Sequence, residues 1–140
     1  ISLAIASKNC YVAGVSLGAN MGQCIKAFKE AEAFNEPSII VAYSPCVNHG
    51  FDMSTTMAEM KSAVDCGYWT LVRYNPNEEV VHLDSTGDYM KYEEFLNSET
   101  RYSSLKEMKK ADAEKLLNES KLDAMERVET LKAFSKKVDN

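Results

Sequence analysis

Two short apolar runs, separated by one helix's length of amphipathic chain, constrain this sequence more than any other feature. Tyr11-Val12-Ala13-Gly14-Val15-Ser16-Leu17 reads as a strand ending at Gly18, and Ile39-Ile40-Val41-Ala42-Tyr43 as a strand buried on both faces. Between them Asn20 is placed to cap a helix with Met21, Cys24, Ile25, Phe28 and Ala31 on one face and Lys26, Lys29 and Glu30 on the other, closed by Asn35-Glu36-Pro37. Strand, helix and strand within residues 11–43 have the size of a βαβ unit, so the strands are expected parallel with a right-handed crossover. Ahead of them Leu3-Ala4-Ile5-Ala6-Ser7 reads as a helix end.

After the loop Val47-Asn48-His49-Gly50, Thr56 and Glu59 stand at capping-box spacing, and Met53, Met57, Met60 and Val64 fall on one helical face that ends at Gly67. Tyr68 to Tyr74 alternate in the β manner as far as Asn75-Pro76-Asn77 and predict a third strand. Beyond residue 77 the composition turns charged, only Val80-Val81-His82-Leu83 is strand-like, and the sheet is expected to be finished. Glu93 to Asn97 predicts a short helix. Ala111 to Lys137 predicts a long one, with Leu117, Ala124, Val128, Leu131 and Phe134 near one face, packing along the body or reaching a neighbouring domain. The expected fold is α/β: about three parallel strands with flanking helices and a C-terminal helical extension.

At 140 residues and 45% hydrophobic content the chain is one domain's worth with a modest core. A net charge of −5, with basic residues interspersed among acids, argues against a nucleic-acid partner. There is no membrane-length apolar stretch and no export pattern, so the expected compartment is the cytoplasm. Residues 1–50 hold three basic and three acidic side chains, a composition built for burial, and the chain opens Ile1-Ser2-Leu3. A piece of a longer protein is the expectation. Cys10, Cys24, Cys46 and Cys66 are widely spaced without a CxxC pair, which disfavours a disulfide framework or a self-contained zinc site.

Cys46 is the leading chemical candidate. In Ser44-Pro45-Cys46-Val47 it follows the carboxyl end of the second strand, where open α/β sheets place ligands, and His49 is near enough to share a metal or form a nucleophilic pair. A thiolate suits an iron-sulfur cubane, which takes about four such ligands, more than this locus offers. The alternative is a buried apolar cysteine. His49 is suited to donate to a phosphate or carboxylate, or to cap a backbone carbonyl; His82 reads as solvated. Cys10, Cys24 and Cys66 read as core, the methionine row as packing, and Trp69 and Tyr74 as core and edge aromatics. Gly14, Gly18 and Gly22 lack GxGxxG order; the amides from Ala19 to Gly22 open a helix whose positive end can face an anion.

Tyr11-Val12-Ala13 with Leu17-Gly18-Ala19, the run Lys26 to Ala33, Ala42-Tyr43-Ser44-Pro45-Cys46-Val47-Asn48-His49-Gly50, Ala63-Val64-Asp65-Cys66-Gly67-Tyr68-Trp69 and Arg73-Tyr74-Asn75-Pro76 together resemble the C-terminal part of pyruvate:ferredoxin (flavodoxin) oxidoreductase. Arg101-Tyr102-Ser103-Ser104-Leu105 matches a further block. The resemblance covers nearly the whole chain, and the Ser-Pro-Cys-x-Asn-His-Gly block is its most specific part. It implies a large homodimeric enzyme that oxidatively decarboxylates pyruvate with coenzyme A to acetyl-CoA and CO2 on thiamine diphosphate and Mg2+. Electrons pass singly through 4Fe-4S clusters to ferredoxin or flavodoxin. It further implies that residues 1–77 are the C-terminal half of the thiamine-diphosphate-binding α/β domain and residues 78–140 a peripheral, mainly helical extension. Cys46 matches the fourth thiolate ligand of the cluster nearest the thiamine; no catalytic or thiamine-binding residue is carried over.

The departures are specific. The family's Gly-Asp-Gly motif with its downstream Asn, its CxxC-type ligands and its ferredoxin-like segment are absent from this sequence and expected ahead of Ile1. Met60 stands where the family tends to a polar residue, and Cys66 matches no ligand role. The 140 residues alone are expected to be inactive, to bind no thiamine and to hold no stable cluster. Two other readings stand beside this one: a stand-alone interaction module with structural cysteines, and a thiol enzyme with Cys46 as nucleophile and His49 as base.

Overall fold

The computed structural model describes residues 1–135. The elements are α1 (Ser2–Ser7), β1 (Tyr11–Val15), α2 (Met21–Ala33), β2 (Ser38–Ala42), α3 (Thr56–Asp65), β3 (Val72–Asn75), β4 (Val80–Leu83), α4 (Tyr92–Ser98), α5 (Thr100–Met108) and α6 (Lys110–Ser135), with 3-10 turns at Val47–His49, Met53–Thr55 and Tyr89–Lys91. The α/β class, the flanking helices and the long last helix agree with the sequence reading; the helix end expected at Lys137 lies outside the described residues. Leu131 and Ala124 of α6 are buried, so that helix packs along the body.

β1 and β2 pair in parallel, from Tyr11 opposite Ser38 to Val15 opposite Ala42. The expected three parallel strands are corrected: β3 runs antiparallel to β1, and β4 is a fourth strand antiparallel to β3, giving the order β2-β1-β3-β4. The reason lies in where α3 sits. A Cβ on Gly18 would stand 2.9 Å from the Met57 carbonyl, so α3 packs against the carboxyl end of β1. The Trp69 indole then donates to the Val15 carbonyl at 3.1 Å, and the chain re-enters the sheet from that same end. β4 is the strand-like run Val80–Leu83, and the expectation that the sheet was finished before it is corrected; with only Val81 of its four residues buried, its apolar signal is weak.

Three further expectations are corrected. β2 is not buried on both faces: within the described residues it is the sheet's edge, and Ile39 is 42% exposed. Thr56 is not a capping residue; its hydroxyl donates to the Met53 carbonyl at 2.6 Å, and Glu59 turns inward to accept from the Ser98 hydroxyl at 3.3 Å. The buried residues of α2 are Gln23, Cys24 and Ala27, with Ala31 packed beside them and Glu30 partly buried; of the expected face Cys24 and Ala31 do turn inward, whereas Met21, Ile25 and Phe28 are about half exposed.

Buried polar chemistry turns α2 this way. Tyr11, Ala13 and Val15 share one sheet face with Arg73, and Val12, Val72 and Tyr74 the other, where Ile5 of α1 and Leu131 of α6 cover them. Arg73 donates to both Glu30 oxygens at 2.6 and 2.9 Å and to both Asp84 oxygens at 2.7 and 2.9 Å. The Tyr11 hydroxyl adds a bond to Glu30 at 2.8 Å, and the Gln23 amide reaches Asp84 at 3.1 Å and the Gly14 carbonyl at 3.2 Å. Burial alone would raise the Glu30 carboxyl, but the bonds from Arg73 and Tyr11 outweigh it and hold the group below its ordinary value.

Arg73→Met leaves two carboxylates without their cation and is expected to cost about 3 kcal/mol in urea denaturation, the lower end for a broken buried pair because Glu30 keeps some solvent. Because the folded-state value of Glu30 is depressed, its contribution is present above the unfolded value of 4.5 and is lost as pH falls through the lower folded one. A Glu30→Gln variant is expected to show a flatter loss of stability over that acid range; a slope equal to the parent's contradicts the assignment.

Candidate functional site

β2 delivers the candidate loop. Pro45 is buried and disfavours helical backbone at Ser44, so the chain leaves the strand extended and Cys46 (φ −125, ψ 150) caps the turn Val47–His49. The His49 N–H donates to the Cys46 carbonyl at 2.8 Å and the Gly50 N–H to the Val47 carbonyl at 2.9 Å, closing the turn. Cys46 is exposed, which removes the reading of a buried apolar cysteine. Cys10, Cys24 and Cys66 are buried in the three core clusters, as expected. Burial pushes the Cys66 thiol up to about 11, so it stays protonated and unreactive at neutral pH.

His49 meets a carboxylate that sequence reasoning passed over. Its Nδ1 lies 3.4 Å from Glu99 Oε1, and Arg101 Nη2 lies 3.6 Å from Glu99 Oε2. Glu99 sits at the junction of α4 and α5 and is 1% exposed; burial pushes its carboxyl up against the pull of His49 and Arg101. The next residue reaches the same loop: the Thr100 hydroxyl donates to the Gly50 carbonyl at 2.7 Å, and its N–H at 3.3 Å. Gly50 has φ +79, and a Cβ there would stand 2.5 Å from that of Thr100, so both backbone conformation and close approach demand glycine. The one sequence signal for Glu99 was its place beside the Arg101-to-Leu105 block.

The other candidates resolve simply. His82 is partly exposed, 3.4 Å from Glu78. The amino terminus of α2 is capped by its own Asn20, which accepts from the Gln23 N–H at 2.9 Å. Tyr43, beside the loop, stacks on Trp69 at 5.6 Å and meets Tyr68 edge-on at 6.0 Å. With Tyr92, Tyr102 and Arg127 they line a cavity of about 560 Å³. Among the described residues no three His, Cys, Asp or Glu side chains converge on one metal-sized point. An exposed thiol at a strand's end fits a metal centre held jointly with donors from elsewhere, since a soft sulfur is what such a centre needs and nothing in the body covers it.

No protein-family model matches the chain. It is 41% identical over 130 residues to the pyruvate:ferredoxin oxidoreductase of Moorella thermoacetica, covering 89% of this chain and 11% of the relative. It is 41% identical over 120 residues to the pyruvate-flavodoxin oxidoreductase of a Nostoc species, covering 82% and 10%. A mitochondrial pyruvate dehydrogenase [NADP(+)] of Euglena gracilis is 40% identical over 111 residues, covering 74% and 6%. No described helix is long and apolar enough to cross a membrane. On this similarity the chain, which spans about a tenth of the length of the first two relatives, belongs to the pyruvate:ferredoxin and pyruvate-flavodoxin oxidoreductase family.

Proposed function

We propose that the chain is the C-terminal part of the thiamine-diphosphate-binding α/β domain of an enzyme that oxidatively decarboxylates pyruvate with coenzyme A to acetyl-CoA and CO2, and that Cys46 is a thiolate ligand of one of its 4Fe-4S clusters. In this reading residues 1–77 are the second half of that domain and residues 78–140 an extension, mainly helical, whose strand β4 pairs with β3 in the same sheet. The observation that carries the reading is the exposure of Cys46, alone among four cysteines, at the carboxyl end of a strand in a parallel pair.

The cluster supplies single-electron transfer when bound. This chain's part is to present one sulfur in a fixed place: Pro45 sets the exit from β2, the 3-10 turn sets the direction of the loop, and the low charge of the first half suits burial against the rest of the polypeptide. Thiamine diphosphate, Mg2+ and the remaining thiolates belong to residues outside this chain, so the 140 residues alone have no oxidoreductase activity and hold no stable cluster. The parent works as a cytoplasmic homodimer with ferredoxin or flavodoxin as acceptor. A relative named for NADP(+) supports leaving the choice of acceptor to other segments.

In the parent polypeptide Cys46→Ser is expected to remove one cluster's worth of iron, about four atoms per chain, with a matching loss of visible absorption. Unchanged iron overturns the ligand assignment. In the isolated chain one thiol is expected to react quickly with a disulfide reagent, and Cys10, Cys24 and Cys66 only on unfolding. Several fast thiols would contradict that burial pattern.

A further inference from the structure

We infer that Glu99 and Thr100 form a clasp that fixes the Cys46 loop, which makes Glu99 a positioning residue for the sulfur; the clasp's purpose, though not its existence, rests on the ligand role proposed for Cys46. Both Glu99 oxygens and His49 Nδ1 lack a hydrogen bond although they are buried. A buried carboxyl without hydrogen bonds is costly, and its surroundings must offset that cost through nearby groups of opposite charge or a raised proton affinity. The groups facing Glu99 are His49 and Arg101, which attract it, and Glu59, which repels it. The His49 ring stands with Nδ1 3.4 Å from Glu99 Oε1, and Thr100 holds the Gly50 carbonyl beside it, 50 residues away in sequence. With Pro45 buried at the other end, the loop is pinned on both sides of its exposed thiol. A metal ligand needs this, because the groups behind it set its aim and geometric tolerance.

The test uses the parent polypeptide and hydrogen exchange over residues 46–50, with peptides from β1 and α6 as folding controls. Glu99→Gln keeps the shape and removes the charge; Thr100→Ala removes the hydroxyl; Thr100→Ser restores it. Glu99→Gln and Thr100→Ala are expected to speed exchange in the loop about five- to tenfold, with control peptides unchanged and Thr100→Ser at the parent's rate. Both are also expected to shift the midpoint potential of the cluster that Cys46→Ser removes. Loop exchange and potential at parental values in both variants overturn the clasp while leaving the ligand reading intact. If Cys46→Ser keeps all its iron, the ligand reading fails and faster loop exchange alone upholds the clasp.

Discussion

A single guanidinium ties this fold together. Arg73 of β3 bonds Glu30 of α2 and Asp84 beyond β4, while Gln23 carries the network to the backbone of β1. Three strands and the crossover helix thus share one charged hub, 8% exposed at its side chain. A guanidinium suits the place because its fork meets two carboxylates at once, which an ammonium does not. The rotation of α2 follows, because Gln23 and Glu30 cannot reach the hub unless Met21, Ile25 and Phe28 turn outward. The direction of β2 is set by the crossover itself, and its pairing along β1 is the last constraint before Pro45 and the loop.

The elements of this fold were legible where local chemistry decides them. Asn20 caps α2, Pro37 and Gly67 end helices, and the βαβ spacing makes β1 and β2 parallel. What escaped depends on partners far along the chain. The antiparallel entry of β3 follows from α3 resting on Gly18, and the inward face of α2 follows from Arg73 43 residues beyond Glu30. Apolar periodicity placed Cys24 and Ala31 correctly but turned the face too far toward Met21, Ile25 and Phe28, because the winning contacts are polar. β2 read as doubly buried because its composition fits that state, whereas among the described residues it is the sheet's edge with Ile39 42% exposed.

The site divides the same way. The address of Cys46 could be read from a strand, a proline and a turn, and the exposure of its thiol agrees with that address. Glu99 could not, because nothing near it predicts that a glutamate 50 residues after His49 is almost fully buried against it. The loop thus combines a donor set by local sequence with an orientation set by a distant junction of helices. Apolar Met21, Ile25, Phe28 and Ile39 remain on the surface, consistent with a chain that spans about a tenth of its relatives.

The ligand role proposed for Cys46 requires that its sulfur bind iron. Anomalous diffraction at the iron edge, from crystals of the parent enzyme, tests it most directly. A cubane peak is expected at bonding distance from Cys46 Sγ, with the other irons held by sulfur from outside these 140 residues. A complete cubane liganded elsewhere, with Cys46 out of bonding reach, would contradict it.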